Sequence, residues 1–319
     1  MITVLCGGVG AARFLRALAL VEPPDSAVGV VNTGDDTVLH GLSISPDLDT
    51  ITYTLAAAID PERGWGLRDE TWRAMGALQR YADVRPAGST AAPMWFNLGD
   101  QDLATHFYRT SRLAEGATLT TVTAEIAAAW QVRQRLLPMT DEAVSTVVTL
   151  AEDGSDVSFQ EYFVKLRRGV PVSAVRFEGA SVAKLTAAAS AAITLADVVV
   201  IAPSNPLVSI APIRALPSTD ALLADRRDSV VAISPIVGGA ALKGPADHML
   251  TELGHEPSVV GVARLYAPIA RALVIDPVDA ELAAAVAAEG IEPVGVGSVM
   301  SSDERSIELV RRTLAAARG

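Results

Sequence analysis

Cysteine is almost absent from this 319-residue chain, which carries a single one, Cys6. One cysteine excludes an intramolecular disulfide framework, and its place in an apolar run beside glycines predicts a buried thiol. The first residues, MITVLC, also lack the basic flank and small-residue cleavage site of a secretory signal. The sequence therefore predicts a cytoplasmic protein in a reducing compartment.

Long uninterrupted apolar runs are absent as well. The most apolar region, from Leu185 to Ile213, is broken by Asp197, Pro203 and Pro206. A membrane span needs about 20 consecutive apolar residues, so we expect a helix, a buried strand and a loop here and no membrane partner.

Positive charge is scarce, because 26 Lys and Arg face 37 Asp and Glu for a net charge of −11. Nucleic-acid affinity rests largely on clustered Lys and Arg, so we expect no nucleic-acid partner. A small anion remains possible as a ligand, since backbone N–H groups, one or two cations and a metal can hold it locally.

Apolar β-branched runs alternate with alanine-rich helical stretches. This alternation is typical of an α/β fold in which a mostly parallel sheet is covered by helices on both faces. The predicted strands are Ile2–Cys6, Ala27–Asn32, Val198–Ala202, Val230–Ser234, Leu273–Asp276 and Pro293–Val296, and the predicted helices are Ala11–Val21, Ala246–Leu253, Ala280–Glu289 and Asp303–Ala317.

The strand pattern fades between residues 60 and 138. Glu70–Tyr81 and Ala104–Leu113 have helical patterns there, so we predict a mainly helical insertion that forms a lid within a single domain. Further on, Val144–Leu150 and Val157–Leu166 flank an Asp-Gly turn signal, which predicts a peripheral β-hairpin.

A glycine-rich loop stands between the first predicted strand and helix. Gly7, Gly8 and Gly10 let the backbone approach a phosphate at a helix N-terminus, and Arg13 can add a charged fork. The loop is neither a complete GxGxxG fingerprint nor a Walker sequence. It predicts phosphate or nucleotide contact, and the alternative is a tight turn that packs the helix.

Two acidic segments follow. Asn32, Asp35 and Asp36 lie in a polar loop after the second strand, where ligands bind in parallel sheets, although a solvated turn uses the same residue types. Asp47 and Asp49 open an apolar helix, and two carboxylates at this spacing can bind Mg²⁺ through oxygen. The alternative for this pair is helix capping.

Two further polar segments are less specific. Ser204 and Asn205, held between prolines after the most apolar strand, can offer hydroxyl and amide groups to a phosphate or a base, or can form a strand-ending turn. His106 follows the polar segment LGDQD. An imidazole among apolar neighbours is usually a satisfied core residue, so we assign it no role.

The ordered motifs of the chain resemble the phospholactate transferase family of deazaflavin coenzyme biosynthesis. The resemblance covers nearly the whole chain and is carried by GGVGAARFL, NTGDD, SPDLDT, IDPERGWGLRDETW, LGDQDLATH, APSNPLVSIAPI and SPIVGG. The segment RGWGLRDETW is similar to that of actinobacterial-type members.

The resemblance implies a Rossmann-like, three-layer fold, usually in a homodimer. It implies transfer of a phospholactyl or phosphoenolpyruvyl group from a guanosine diphosphate-linked donor to a ribityl hydroxyl of the deazaflavin Fo. GMP is released, Mg²⁺ is the expected ion, and the product is the core of coenzyme F-420. Which acid is transferred, lactate, enolpyruvate or glycerate, stays open at this point.

Site residues also follow from the resemblance. It makes Asp47 and Asp49 catalytic and metal-binding residues. The diphosphate or adjoining nucleotide is expected at Gly7, Gly8 and Gly10, the guanosine nucleotide at Ser204 and Asn205, and the deazaflavin ring near Trp65, Trp95 and Asn97.

One position departs from the family pattern. The motif commonly reads LGDRD, whereas this chain has Gln101, which supplies no guanidinium fork. Either the deazaflavin Fo is bound here through a hydrogen bond to the Gln101 amide, or a nearby cation, Arg109 or Arg112, takes the place of the missing arginine. Two other functions are weighed: a non-enzymatic sensor of nucleotide sugars of the gluconeogenesis-factor type, and an NAD-dependent dehydrogenase, which the incomplete glycine fingerprint disfavours.

Overall fold

The computed structural model describes residues 1–167 and 169–318. Its strands are β1 (Ile2–Cys6), β2 (Ala27–Val31), β3 (Thr37–Leu39), β4 (Leu42–Ile44), β5 (Arg135–Pro138), β6 (Ser145–Leu150), β7 (Asp156–Ser158), β8 (Val172–Glu178), β9 (Val198–Ile201), β10 (Val230–Ile233), β11 (Ile236–Val237), β12 (Ala240–Ala241), β13 (Ala272–Ile275) and β14 (Glu292–Gly295). The six strands that the sequence predicts for the central sheet are confirmed. Most of their ends differ from the predicted ends by one residue.

Helices follow most of the sheet strands. They are α1 (Gly8–Val21), α2 (Pro46–Leu55), α3 (Arg73–Ala82), α4 (Asp102–Ala114), α5 (Leu119–Ala129), α6 (Ala187–Leu195), α7 (Ala211–Arg214), α8 (Thr219–Ala224), α9 (Ala246–Glu252), α10 (Val259–Tyr266), α11 (Ala283–Ala288) and α12 (Asp303–Arg318). The helix predicted from Ala280 begins as a 3₁₀ turn over Pro277–Leu282, which its N-terminal proline favours.

Among the described residues, seven strands form a parallel sheet in the order β14-β13-β10-β9-β1-β2-β5. The chain starts at the interior strand β1 and builds outward through β2 and β5. It then returns to β9, on the other side of β1, and builds through β10, β13 and β14 in the opposite direction. The strand order therefore reverses between β1 and β9. In open parallel sheets this switch point opens a crevice at the carboxyl ends of the strands, where ligands bind.

Both faces of the sheet are buried, which explains the continuous apolar runs. Leu5 and Ile201 belong to one core cluster with residues of α6, α8, α10 and α11. Val4 and Val200 belong to the other, with residues of α1, α2 and α12. Alternate strand residues thus face opposite helical layers, and the three-layer Rossmann-like α/β fold is confirmed.

The peripheral hairpin is confirmed between β6 and β7, which pair antiparallel. Its second strand ends at Ser158, because residues Glu161–Lys165 form a π-helical turn, so the strand prediction to Leu166 is wrong beyond Ser158. A third strand, β8, which the sequence does not predict, pairs with the other edge of β6.

The helical stretch after residue 60 contains α3, α4 and α5, and the two predicted helices are confirmed as α3 and α4. The stretch ends before residue 138, because β5 joins β2 as the edge strand of the central sheet. Met75 is the buried residue of α3, so this helix lies largely at the surface. A lid function for this segment remains a prediction.

Within residues 1–167 and 169–318, no helix has both the length and the apolar character needed to span a bilayer.

Candidate active site

The candidate site lies at the switch point between β1 and β9. Gly7 follows β1 and Ser204 follows β9, and the Ser204 hydroxyl donates to the Gly7 carbonyl oxygen at 2.8 Å. Because β1 and β2 are also neighbours, the polar loop after β2 joins the same edge. The structure therefore brings together the glycine loop, Asn32 and Ser204, as the sequence predicts.

The glycine loop is tightly packed against two other segments. α1 begins at Gly8, whose φ of +74° favours glycine. A Cβ on Gly7 would lie 2.5 Å from Asp47 Oδ2, and one on Gly10 would clash with the Pro203 carbonyl oxygen. These glycines therefore let α2 and the loop after β9 approach the start of α1, and their contact with phosphate stays a prediction.

Asp47 is fixed by two donors. The Gly8 N–H donates to its Oδ1 at 2.8 Å, and the Asn32 side-chain amide donates to its Oδ2 at 2.9 Å. Burial raises the pKa of Asp47 to about 6, although both hydrogen bonds act in the opposite direction. The fully buried Asn32 accepts in turn from the Gly34 N–H at 2.8 Å, which fixes the loop after β2.

Asp35 and Asp36 add two carboxyl groups to the same region. Burial raises the pKa of Asp35 well above its usual range, and the neighbouring charge of Asp47 raises it further. Burial likewise raises the pKa of Asp36, although the Ser45 hydroxyl donates to its Oδ2 at 2.7 Å. Within the described residues, each of the two side chains keeps one buried oxygen, Oδ1, without a hydrogen bond. Burial and mutual repulsion therefore disfavour ionisation of the three carboxyl groups together.

Asp49 faces a buried arginine. Both of its oxygens accept from the guanidinium of Arg109, one of them at 3.0 Å, and Arg109 is only 2% exposed. His106 Nδ1 lies 3.3 Å from the same guanidinium, and His106 Nε2 lies 3.3 Å from Asp102 Oδ2. The Tyr53 hydroxyl donates to the other oxygen of Asp102 at 2.6 Å. A buried ionic network therefore connects α2 to α4.

The sequence interpretation missed most of this network, since it gave His106 no role and named Arg109 only as a substitute cation. A signal is present in the sequence, because Asp102, His106 and Arg109 recur at spacings of four and three on one helix face. Their partner Asp49, however, lies 60 residues from Arg109 along the chain. No local pattern identifies such a pair.

The carboxylates suit a hard divalent cation. Mg²⁺ in proteins is commonly held by one or two carboxylates and keeps several waters or substrate oxygens. Asp47, with Asp35 beside it, offers such oxygens, because its two partners are uncharged donors. The charge of Asp49, in contrast, is already paired with Arg109. In the part of the chain that the structure describes, no set of three or more His, Cys, Asp and Glu side chains is arranged to hold a metal ion. The metal roles of Asp47 and Asp49 remain predictions.

The residues predicted to meet the deazaflavin ring lie in the segment between α2 and α4. Trp95 is half-buried and meets Phe96 edge to face with ring centroids 5.7 Å apart, and Asn97 is exposed. The exposed side chain of Gln101 donates to the Asp69 carbonyl oxygen at 3.2 Å. None of the described hydrogen bonds or ion pairs joins these three residues to Asp47, and their binding roles remain predictions.

Two motifs of this segment cap each other's helices. The Glu70 carboxylate accepts from the backbone N–H groups of Gln101 and Asp102, at the start of α4. The Asp100 carboxylate accepts from those of Arg73 and Ala74, at the start of α3. The RDETW and LGDQD motifs therefore have a structural role that they perform jointly.

The loop before α3 lies close to the glycine loop. The Arg63 guanidinium is 5.4 Å from the ring centroid of Trp65 and 5.0 Å from that of Trp72, which orders the loop by cation–π contact. A Cβ on Gly64 would lie 2.8 Å from the Lys243 ammonium and 3.6 Å from a methyl of Val9. Three motifs distant in sequence therefore meet at the start of α1.

Arg13 and Asn205 are also predicted to contact the nucleotide. Arg13 is exposed on the second turn of α1. The Asn205 side-chain oxygen accepts from the Leu207 N–H at 2.9 Å and caps the π-helical turn Pro206–Ile210. Both roles in nucleotide binding stay predictions.

Comparison with known proteins gives matches over most or nearly all of the chain. Residues 2–315 match the family described as "2-phospho-L-lactate transferase CofD". A phosphoenolpyruvate transferase of Streptomyces griseus is 42% identical over 316 residues, covering 98% of this chain and 97% of that protein. A phosphoenolpyruvate transferase of Mycobacterium avium is 43% identical over 288 residues, covering 83% of each.

Solved structures support the fold. A crystal structure of a Bacillus halodurans protein aligns with a TM-score of 0.61 and 16% identity over 98% of both chains. A second crystal structure of the same protein, described as a member of the UPF0052 family, aligns with a TM-score of 0.59 and 15% identity over 97% of this chain and 98% of that one. At such identities the likeness concerns the fold alone. The sequence matches establish more than the fold. They show that the chain belongs to the 2-phospho-L-lactate transferase CofD family.

Proposed function

We propose that this protein transfers a phosphoenolpyruvyl or phospholactyl group from a guanosine diphosphate-linked donor to a hydroxyl of the deazaflavin Fo, with release of GMP and formation of the coenzyme F-420 core. The observation that carries the proposal is the cluster of Asp35, Asp36 and Asp47 at the sheet's switch point, directly beside the glycine loop. Family membership supports the general transferase role. Because the similar curated proteins are named phosphoenolpyruvate transferases, we favour enolpyruvate as the transferred acid.

Two substrates need distinct chemical surroundings in this reaction. The diphosphate of the donor suits the first turn of α1, where backbone N–H groups point outward without intrahelical acceptors. The exposed ammonium of Lys243 lies at the same place, next to Val9 and Gly64. The acceptor hydroxyl suits the carboxylate side of the site, at Asp47, Asp35 and Asp36.

In the proposed step, the acceptor hydroxyl oxygen forms a bond to the distal phosphorus of the donor, and the bond from that phosphorus to the bridging oxygen breaks. The electron pair of the broken bond leaves with GMP, and the hydroxyl proton passes to solvent or to a neighbouring carboxylate. Asp47, held by Gly8 and Asn32, positions the reacting groups. Positioning and charge stabilisation dominate this chemistry, so no strong general base is required.

Mg²⁺ bound to these carboxylates would neutralise charge on the phosphate oxygens as the transfer proceeds. The raised pKa values of Asp35, Asp36 and Asp47 support a cation here, since an added positive charge offsets the cost of keeping buried carboxylates ionised. Asp49 contributes by holding α4 through Arg109. A cytoplasmic location, expected from the sequence, and a homodimer, implied by the family resemblance, are part of the same proposal.

The test is to incubate the purified protein with Fo, Mg²⁺ and each of the lactate, enolpyruvate and glycerate guanosine diphosphate donors. We expect GMP release and a deazaflavin product whose mass identifies enolpyruvate as the transferred acid. Absence of both turnover and Fo binding would overturn the proposal. Tight binding of a uridine nucleotide sugar in that case would favour the sensor of the gluconeogenesis-factor type.

A further inference from the structure

His106 is a buried histidine that the proposed reaction does not use. Its side chain is 1% exposed on α4, and both ring nitrogens face charged groups of the same helix. Nδ1 lies 3.3 Å from Nη1 of Arg109, and Nε2 lies 3.3 Å from Oδ2 of Asp102. The imidazole therefore stands between a buried cation and a carboxylate.

The neighbours of His106 select one tautomer of its ring. A guanidinium group only donates hydrogen bonds, so the Nδ1 atom that faces Arg109 must be the acceptor of the neutral ring. The ring proton then stands on Nε2, where it faces the negative charge of Asp102. Asp102 is itself held, because it accepts from the Tyr53 hydroxyl at 2.6 Å. This arrangement gives Arg109 a fixed acceptor on its own helix.

Arg109 depends on such acceptors for its orientation. Its guanidinium donates to both oxygens of Asp49. Nη1 has two more acceptors nearby, His106 Nδ1 at 3.3 Å and the Ser43 carbonyl oxygen at 3.4 Å. A two-point contact requires the plane of the guanidinium fork to match the carboxylate. His106 and β4 thus set how Arg109 presents its fork to Asp49.

The link continues from Asp49 to Asp47 in the first turn of α2. Residues two apart on a helix lie on nearly opposite sides. Asp49 accordingly faces α4, whereas Asp47 accepts from donors of α1 and of the loop after β2. Tyr53, four residues after Asp49, also faces α4 and makes a second tie to Asp102. The rotation of α2 about its axis, and with it the position of the Asp47 carboxylate, is therefore set from α4.

We propose that His106 is a positioning residue of the transfer reaction. It holds the Arg109 fork on Asp49, and the fork keeps the first turn of α2 oriented so that Asp47 meets the glycine loop. In this role His106 contacts neither substrate. The inference rests on the proposed function and extends it, since it adds a residue that acts on the rate of transfer through other side chains.

The experiment compares two variants of this residue by the steady-state kinetics of GMP release from the enolpyruvate donor. His106→Asn keeps a side-chain oxygen near the place of Nδ1, whereas His106→Leu nearly keeps the volume but offers Arg109 no acceptor. We expect kcat to fall about 10- to 100-fold in His106→Leu, the usual effect of a small misplacement of reacting groups, and less than about threefold in His106→Asn. KM for both substrates should stay within about twofold, so that kcat and kcat/KM fall together.

This order of the two variants separates positioning from packing. A packing role would make His106→Asn the poorer enzyme, because it removes more side-chain volume. The matched control is His255→Leu, in the loop after α9, which should keep the wild-type kcat. Wild-type kcat in a folded His106→Leu, a loss confined to KM, or equal losses of kcat in the two His106 variants would each overturn the positioning role. The transferase proposal would survive any of these results.

Arg109→Lys decides the question if circular dichroism shows that His106→Leu does not fold. Lysine keeps a positive charge beside Asp49 but lacks the fork, so kcat should fall about tenfold or more with KM unchanged. An unchanged kcat in this variant would overturn the link from α4 to Asp47. If the wild-type protein released no GMP with Fo and any of the three donors, the inference would fall together with the proposed function.

Discussion

Asp47 has the most constrained side chain of the candidate site. Its two oxygens accept from groups on two different strand ends, and Gly7 lacks a side chain where a Cβ would lie 2.5 Å from Oδ2. The geometry of this carboxylate is therefore fixed before any ligand binds. Such preorganisation is what positioning of a phosphoryl group requires.

Replacing Asp47 with asparagine should reduce the turnover number by at least about 100-fold, the loss usual for one preorganised electrostatic contact in a transition state. The amide keeps the size of the side chain but loses the cation-binding charge, and its NH2 group faces one of the two N–H donors from which Asp47 accepts. Turnover is measured as GMP release from the enolpyruvate donor.

The matched control for this variant is Asp225→Asn, at the exposed C-terminus of α8, which should keep full activity. Circular dichroism of both variants checks that the fold persists. Wild-type turnover in Asp47→Asn would remove this residue from the mechanism.

Arg109 is the buried cation that balances Asp49. Arg109→Met should lower the free energy of unfolding by about 3–5 kcal/mol, because it leaves a buried carboxylate without its partner. Urea unfolding measures the change. Arg112→Met, three residues along the same helix, removes partly exposed ion pairs with Glu115 and Glu125 and should cost about 1 kcal/mol or less for each pair. Equal losses in the two variants would contradict the role given to the buried network.

The segment between α2 and α4 owes its order to reciprocal capping. Glu70 caps α4 and Asp100 caps α3, although the two residues lie 30 positions apart and α3 itself buries little. Gly99 makes this possible, since a side chain there would overlap the Glu70 carboxylate. The conformation of the whole segment therefore depends on a few polar contacts and not on a large apolar core.

Glu70→Ala should accordingly loosen this segment with little effect on the sheet. We expect a loss of about 1–2 kcal/mol, the usual cost of removing a helix cap, and faster hydrogen exchange confined to α3 and the start of α4. Hydrogen exchange followed by mass spectrometry measures both. Glu62→Ala, an exposed glutamate in the preceding loop, is the control and should leave exchange unchanged. If the segment exchanged hydrogen at the same rate in Glu70→Ala and in the wild-type protein, other contacts would hold it.

The elements that the sequence predicts best are those with a two-sided burial pattern. Strands such as β9 and β10 are continuous apolar runs because both of their faces are covered, and this pattern is visible without any structure. The edge strand β5 escaped prediction, since its four residues include an exposed arginine and a proline. β8, which is mostly exposed, gave no clear alternation either.

The candidate site is predictable to a similar degree. Asp47 and the glycines stand out because strand ends with polar residues mark ligand sites in parallel sheets. The partnership of Asp49 with Arg109, and that of Glu70 with the start of α4, depend on contacts between segments far apart in sequence. Those contacts are set by tertiary packing, so local pattern does not report them.

At the scale of the whole molecule, two charge environments adjoin the candidate site. The start of α1 and Lys243 offer positive potential, whereas a cavity lined by Asp35, Asp36, Asp141 and Glu142 is acidic. With a net charge of −11, the molecule repels a nucleotide over most of its surface. Local donors at the glycine loop must therefore provide the attraction, and a divalent cation in the carboxylate cluster would strengthen it.

Burial of this cluster makes the stability of the metal-free protein depend on pH. The pKa of Asp47 is about 6 in the folded chain and near its usual value of 3.8 when unfolded, so the folded state binds more protons between these two values. Stability should then rise as pH falls from about 7 to about 4, by roughly 3 kcal/mol for a two-unit shift. The raised pKa values of Asp35 and Asp36 act in the same direction.

The measurement is thermal unfolding in a chelator at several pH values, compared with Asp47→Asn, whose neutral amide removes this contribution. Relative to that variant, the wild-type protein should gain stability as pH falls through 6, and added Mg²⁺ at pH 7.5 should reduce the difference. This follows because the cation and the proton relieve the same buried charge. A wild-type curve parallel to that of the variant, with no effect of Mg²⁺, would mean that Asp47 is neither destabilised by burial nor close to a cation site.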